Sequence, residues 1–280
     1  MKKIVIFTDL DGTLLDDSTY SFDAALPALY AARQADIPVV ICSSKTRGEI
    51  ESYRKMLGNS HPFVSENGGG IFLPKGYFRT APGRLPDSYA AERHISVEET
   101  GSYHVIKLGT SYRELRHAVE DLRKQGFDIT GFGDMTAEEI SLLTGLCSDE
   151  TRMARERDFD EPFTFKGDEQ ALGAAIRQMG LSCTRGKFFH ILGDNDKGKA
   201  VTILKGLYRE KYGEVFTAAL GDNPNDLPML TVADYPVIVQ KPGGRYEPLI
   251  DLPGIIKAEG VGPAGWNREV LKLLGSSGEG

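Results

Sequence analysis

Cysteine is scarce in this chain, with three in 280 residues, at Cys42, Cys147 and Cys183. An odd, widely spaced set offers neither a disulfide framework nor a zinc cluster, and it leads to an expectation of reduced thiols in a cytoplasmic setting. Long apolar runs are missing as well. No segment approaches the roughly 18 apolar residues of a membrane-crossing helix. The apolar stretch Ile4–Phe7 is too short for a signal peptide and runs into Asp9. Positive charge is in deficit: 33 Lys and Arg stand against 40 Asp and Glu, a net charge of −7. That balance excludes a general binder of nucleic acid or anionic membrane, so any positive field for an anionic ligand is local. There is no internal repeat and no low-complexity run, and Gly275-Ser-Ser-Gly-Glu-Gly280 reads as a frayed tail.

What the chain does have is alternation. The four apolar residues Ile4-Val5-Ile6-Phe7 mark a strand buried on both faces of a parallel sheet. The pattern then predicts a helix over 22–36, a strand over 37–42 and a helix over 47–57, with Thr46 and Glu49 at capping-box spacing. Short strands at 63–64 and 71–72 flank Glu66-Asn67-Gly68-Gly69-Gly70, and Pro74, Gly76, Pro82, Gly83 and Pro86 punctuate a linker. A second unit follows, with strands at 103–108, 127–131, 162–165, 181–184 and 188–192 and helices at 112–124, 137–144, 149–157 and 169–179. Ser111/Glu114 and Thr136/Glu139 repeat the capping-box spacing. The first pattern resumes with a helix over 197–212, a strand over 215–220, a short helix, a strand over 236–239 and a final helix over 266–273. The expectation is an α/β fold: a doubly wound parallel sheet core from both chain ends, residues 1–82 and 188–280, with an α+β domain inserted over 83–187.

Four polar clusters stand at strand ends or helix starts, where an open α/β sheet binds its ligands. In Asp9-Leu10-Asp11-Gly12-Thr13 one carboxylate can attack phosphorus, while the second protonates the leaving alkoxide and later deprotonates water. Two anions this close need a cation or a shared proton. Ser43, in Cys42-Ser43-Ser44-Lys45-Thr46, offers a hydroxyl to an anion or to a helix cap. Asp196 can cap the helix that Lys197 opens. An ammonium there runs against the helix dipole and implies an anionic neighbour, although either Lys197 or Lys199 could be a solvated side chain. In Gly221-Asp222-Asn223-Pro224-Asn225-Asp226, Asp222 ends a strand beside the expected position of Asp9, and two such carboxylates suit Mg²⁺. Asp226 falls in the first helical turn, where it could be no more than a dipole partner.

In this order the four clusters resemble the signatures of the haloacid dehalogenase superfamily of phosphohydrolases. The resemblance implies a Rossmann-like core and a Mg²⁺-dependent phosphatase that acts on a small phosphorylated substrate through an aspartyl-phosphate. It makes Asp9 the nucleophile, Asp11 the general acid/base, and Ser43 and Lys197 the groups that hold the transferring phosphoryl. The implied metal ligands are Asp9, Asp222 and the backbone carbonyl of Asp11, with Asn225 and Asp226 in support. An insertion between the serine and lysine motifs resembles the large cap domain of the sugar-phosphatase branch, in which Asn67 lines the site.

Within that branch, Ser43–Arg47, Gly131–Thr136, Arg157–Phe163 and Asp196–Ala200 resemble the mannosyl-3-phosphoglycerate phosphatases. Substrates of that kind carry a phosphate, a carboxylate and a ring of hydroxyls, a phosphorylated sugar–glycerate. Arg157 is then the candidate for the carboxylate and Asp134 for sugar hydroxyls. Mannosyl and glucosyl forms, a wider hexose-phosphate or sucrose-phosphate phosphatase, and a phosphomutase all share the core residues and stay open. A silent sugar-phosphate binder would be expected to lack one of Asp9, Asp11, Asp222 and Asp226, and all four are present. The pattern sets no oligomeric state.

Overall fold

In the computed structural model, which describes residues 2–78 and 96–276, the Ile4–Phe7 run forms the strand Lys3–Thr8 inside a nine-stranded sheet. The strands lie in the order Ile256–Val261, Tyr235–Gln240, Val215–Gly221, Lys3–Thr8, Val39–Cys42, Phe63–Ser65, Gly70–Pro74, Tyr103–Lys107 and Ser96–Thr100. The first six are parallel, and the last three pair antiparallel. Ile4 and Ile6 join one core cluster with Ile50 and Trp266, while Val5 and Phe7 join the other with Leu204 and Tyr208. Helices cover both faces, which is why every position of the run is apolar. Each of these side chains contributes about 1.5–3 kcal/mol by leaving water. All three expected capping boxes form, at Thr46/Glu49, Ser111/Glu114 and Thr136/Glu139.

A second sheet of four antiparallel strands lies in the order Ile129–Gly131, Asp160–Phe165, Phe189–Leu192 and Ser182–Arg185. Its alternation divides the labour between two faces. Phe163, Phe189 and Ile191 pack with Leu122, Leu172 and Ile176 from the helices Tyr112–Lys124 and Glu169–Gln178. Asp160, Pro162 and His190 fall on the opposite face by register, and Pro162 and His190 line a cavity shared with Asp9 and Asp11.

The expected helix over 22–36 is shorter, because Asp23–Ala25 is a 3₁₀ turn and the α-helix spans Leu26–Gln34 with Pro27 in its first turn. Two strands escape the pattern, Ser96–Thr100 and Ile256–Val261, one at each edge of the large sheet. Glu98 and Glu99 in the one, and Lys257 and Glu259 in the other, interrupt any apolar run, as edge strands allow. The expected insertion point at 82/83, with Pro82, Gly83 and Pro86, lies outside the described residues. Sheet membership moves the other limits. Strands Ser96–Thr100 and Tyr103–Lys107, expected in the insert, extend the core sheet from Gly70–Pro74. Phe189–Leu192, read with the strands of the second unit but assigned to the core by the 188–280 limit, is an inner strand of the second sheet. An antiparallel strand pairs with whichever edge is open, and its own residues do not name that edge.

No helix among the described residues is long and apolar enough to cross a membrane. The cysteines are free thiols, Cys42 buried and Cys147 and Cys183 exposed.

Candidate active site

Parallel pairing brings the two acidic motifs together. Thr8 is in register with Leu220, and the Asp9 N–H donates to the Leu220 carbonyl at 3.0 Å, so Asp9 and Asp222 leave adjacent strand ends. The single tryptophan braces this point: Trp266 Nε1 donates to Thr8 Oγ1 at 2.9 Å, and that hydroxyl donates to the Asp9 carbonyl at 2.8 Å. Gly12 turns the chain at φ +76°, and a Cβ there would stand 2.8 Å from Asp222 Oδ2. Only glycine allows this approach and this dihedral together. Thr13 Oγ1 then donates to Asp222 Oδ1 at 2.9 Å.

Burial separates the two lysines that the sequence leaves open. Lys197 is fully buried and donates to Asp9 Oδ1 at 2.7 Å and Asp226 Oδ1 at 2.6 Å. Lys199 stays at the surface with Asp194, and its N–H is capped by Asp196. Asp226 is more than a dipole partner, since its second oxygen accepts the N–H groups of Asp222 and Asn223, both at 3.0 Å.

Carboxylate oxygens of Asp9, Asp222 and Asp226 lie within 4.8 Å of one another, with the Lys197 ammonium bonded to two of the three groups. Burial, against the pull of Lys197 and with the push of Asp226 and Asp11, drives the Asp9 carboxyl up to about 7. Burial and then the charges of Asp226 and Asp9 hold Asp222 well above its ordinary range. Three buried carboxylates beside one ammonium leave an excess of negative charge, which a cation at the oxygens of Asp9 and Asp222 would relieve. An all-oxygen donor set suits a hard divalent ion.

The Asp11 side chain turns elsewhere. Its Oδ2 pairs with Lys45 Nζ at 3.1 Å, Lys45 also reaches Glu49 Oε1 at 3.3 Å, and Asp11 Oδ1 is buried without a protein partner. Burial raises the Asp11 carboxyl, with Lys45 opposing. Ser43 is buried at the end of its strand: its Oγ accepts the Lys45 N–H at 3.2 Å, and its carbonyl accepts the Asn67 N–H at 3.0 Å.

Glu66 and Asn67 form the joint between the two sheets. Both are buried non-glycine residues at positive φ, 48° and 54°, a strained backbone that marks a functional segment. The Glu66 carboxylate accepts the N–H groups of Asp158 at 3.0 Å and Phe159 at 2.7 Å. Asn67 Oδ1 accepts from Asn225 Nδ2 at 2.9 Å, and Asn67 Nδ2 donates to Asp160 Oδ2 at 2.6 Å. Asp160 in turn holds His190 Nδ1 at 2.8 Å. A buried polar chain thus runs from the Asp222 loop through Asn67 to the second sheet. The three glycines that follow are packing positions: a Cβ on Gly68 would collide with the Asp196 carbonyl and one on Gly69 with Phe159.

Arg157 reaches the cavity, with two of its three guanidinium nitrogens already engaged by the protein. Nη1 meets the Ser44 carbonyl at 3.2 Å and Asp160 Oδ1 at 3.6 Å, and Nε donates to the Ala154 carbonyl at 3.1 Å. Asp134 does not line this cavity. It is held by Arg116 and Arg123 of the helix Tyr112–Lys124 and by the Gly131 N–H. Among the cavity residues to which the sequence assigned no role are Lys45, quoted only within its cluster, Lys187 and His190. For His190 the signal would have been strand alternation with Asp160; for Lys187, at a hairpin tip, there is none.

The family model for haloacid dehalogenase-like hydrolases matches residues 6–80. A glucosyl-3-phosphoglycerate/mannosyl-3-phosphoglycerate phosphatase from Methanococcoides burtonii is 49% identical over 280 residues, covering 98% of each chain. A phosphatase of the same name from Persephonella marina is 43% identical over 97% of each chain. Among solved structures, a haloacid dehalogenase superfamily phosphatase from Bacteroides thetaiotaomicron shares the fold, with a TM-score of 0.65 at 19% identity over 98% of this chain and 96% of that one. The strand-end carboxylates, the buried lysine and the full-length likeness agree, and the chain belongs to the haloacid dehalogenase-like hydrolase family.

Proposed function

We propose that the protein hydrolyses a glycosyl-3-phosphoglycerate, glucosyl or mannosyl, to the glycosylglycerate and inorganic phosphate, with Mg²⁺ bound, in the cytoplasm. The full-length likeness to two phosphatases of that name supports the substrate class. The observation that carries the chemistry is Lys197 bridging Asp9 and Asp226 beside Asp222, under a cavity lined from both sheets.

An Asp9 carboxylate oxygen attacks phosphorus, and the bond from phosphorus to the glycerate oxygen breaks. The leaving oxygen takes the proton of Asp11. Water then attacks the aspartyl-phosphate, Asp11 takes its proton, and the bond between phosphorus and Asp9 breaks to release phosphate. A carboxyl raised by burial suits Asp11, since it carries a proton more readily, and Lys45 limits the rise. Lys197 draws the raised Asp9 carboxyl back toward its ionised, nucleophilic form. The same ammonium, with the Ser43 hydroxyl, stabilises charge on the transferring phosphoryl. Asp9, Asp222 and the Asp11 backbone carbonyl would hold Mg²⁺, braced by Asn225 and Asp226. The ion supplies charge neutralisation and polarisation of a phosphoryl oxygen.

The test is Mg²⁺-dependent phosphate release from glucosyl- and mannosyl-3-phosphoglycerate, set against glucose 6-phosphate and sucrose 6-phosphate. The reading expects the glycosylglycerate esters to lead clearly in kcat/KM. Comparable rates on glucose 6-phosphate would replace it with a wider hexose-phosphate phosphatase.

A further inference from the structure

Three Lys or Arg side chains line the cavity, and two of them are neutralised by the protein. Lys45 pairs with Asp11 and Glu49. Arg157 lies against Asp160, and its Nη1 and Nε donate to the carbonyls of Ser44 and Ala154. Lys187 is different. It sits at the tip of the hairpin between Ser182–Arg185 and Phe189–Leu192, exposed, with no carboxylate at ion-pair distance among the described residues. Its bonded partner is the Tyr20 phenol oxygen, at a long 3.5 Å. The Tyr20 ring lies 5.8 Å from Lys187 Nζ and 5.2 Å from Lys45 Nζ, which puts the free ammonium beside the Lys45–Asp11 pair.

We propose that Lys187 is a specificity-determining residue whose ammonium takes the carboxylate of the glycerate moiety. The assignment rests on the glycosyl-3-phosphoglycerate reading. In such a substrate the carboxylate lies two carbon–carbon bonds from the phosphorylated carbon, so it enters the same cavity as the phosphoryl group. A second anion there needs its own counter-charge, because the groups at Asp9 are engaged with the first. Arg157 is a poorer candidate, because its charge is already set against Asp160 and its Nη1 and Nε hold backbone carbonyls. Lys187 gives up one weak bond to a phenol. The assignment moves the carboxylate contact from Arg157 to Lys187 and places it on a cap hairpin, where binding the carboxylate also holds the cap over the phosphoryl site.

The experiment compares kcat/KM for glucosyl-3-phosphoglycerate with that for the analogue carrying CH₂OH in place of the carboxylate, in wild type, Lys187→Gln, Lys187→Arg and Arg157→Gln. In Lys187→Gln the ratio of the two values should fall about 10- to 100-fold, mostly through KM, as a lost charge-assisted bond implies. Lys187→Arg keeps the charge and should keep most of the ratio. An unchanged ratio in Lys187→Gln, or a collapse of the ratio in Arg157→Gln alone, overturns the assignment while the substrate reading stands. A wild-type ratio near one overturns both.

Discussion

The two sides of the cavity hold charge in different ways. On the core side Asp9, Asp222, Asp226 and Lys197 are nearly all buried, bonded to one another and left with negative charge to spare. On the cap side the buried side chains of Arg157 and Asp160 neutralise each other, His190 hydrogen-bonds the same carboxylate, and Lys187 stands at the surface with no carboxylate partner among the described residues. A buried cluster with unbalanced charge costs stability and persists because a cation and a phosphoryl group complete it. A buried cluster in balance needs no ligand and frames the site. Burial alone therefore does not identify a substrate contact; the residual charge does.

The largest effect that could break this contrast is at Asp9. Asp9→Asn keeps the shape and removes the nucleophile, so kcat should fall about a thousandfold or more in a phosphate-release assay. Wild-type turnover in that variant would remove Asp9 from its role. Next in size, Asp222→Asn should raise the Mg²⁺ concentration for half-maximal rate roughly tenfold or more; an unchanged titration would contradict the metal assignment.

Smaller is a pH effect on the metal-free protein. Burial raises Asp9 to about 7 in the fold. The folded state thus binds this proton more tightly than the unfolded chain, and the resulting stability, full at acid pH, is lost as pH rises toward and through 7. Mg²⁺ competes with that proton, so the gain in Tm on adding Mg²⁺ should be larger at pH 8 than at pH 6. Thermal denaturation at both values checks the sign, and a larger gain at pH 6 would contradict it. The smallest change in activity is expected at Asp134. Asp134→Asn loosens Arg116 and Arg123 and should lower stability by about 1–3 kcal/mol, with kcat/KM within about threefold of wild type. A large loss of activity at unchanged Tm would restore Asp134 as a sugar ligand.

The core site was legible because its motifs are contiguous and each ends a strand or starts a helix. Parallel register then had to bring Asp9 beside Asp222, whatever the details of packing. Even there the choice between Lys197 and Lys199 awaited burial, since both follow the same helix cap. The cap was less legible. His190 reaches the cavity because Phe189–Leu192 pairs with Asp160–Phe165 in one register, and no local pattern states that register. Asp134 and Arg157 have the right chemistry for a sugar acid, yet Arg116, Arg123 and Asp160 arrive from elsewhere in the fold and engage them first. The strained pair Glu66-Asn67 read as part of a glycine-rich loop, and its role as the joint between sheets appears only with Asp158 and Asp160 in place.

The most direct test of the central claim is a rapid quench with substrate radiolabelled at phosphorus, followed by peptide mapping. A burst of label on the peptide carrying Asp9, lost in Asp9→Asn, is the predicted result. Label on another residue, or label that survives in Asp9→Asn, would contradict the account.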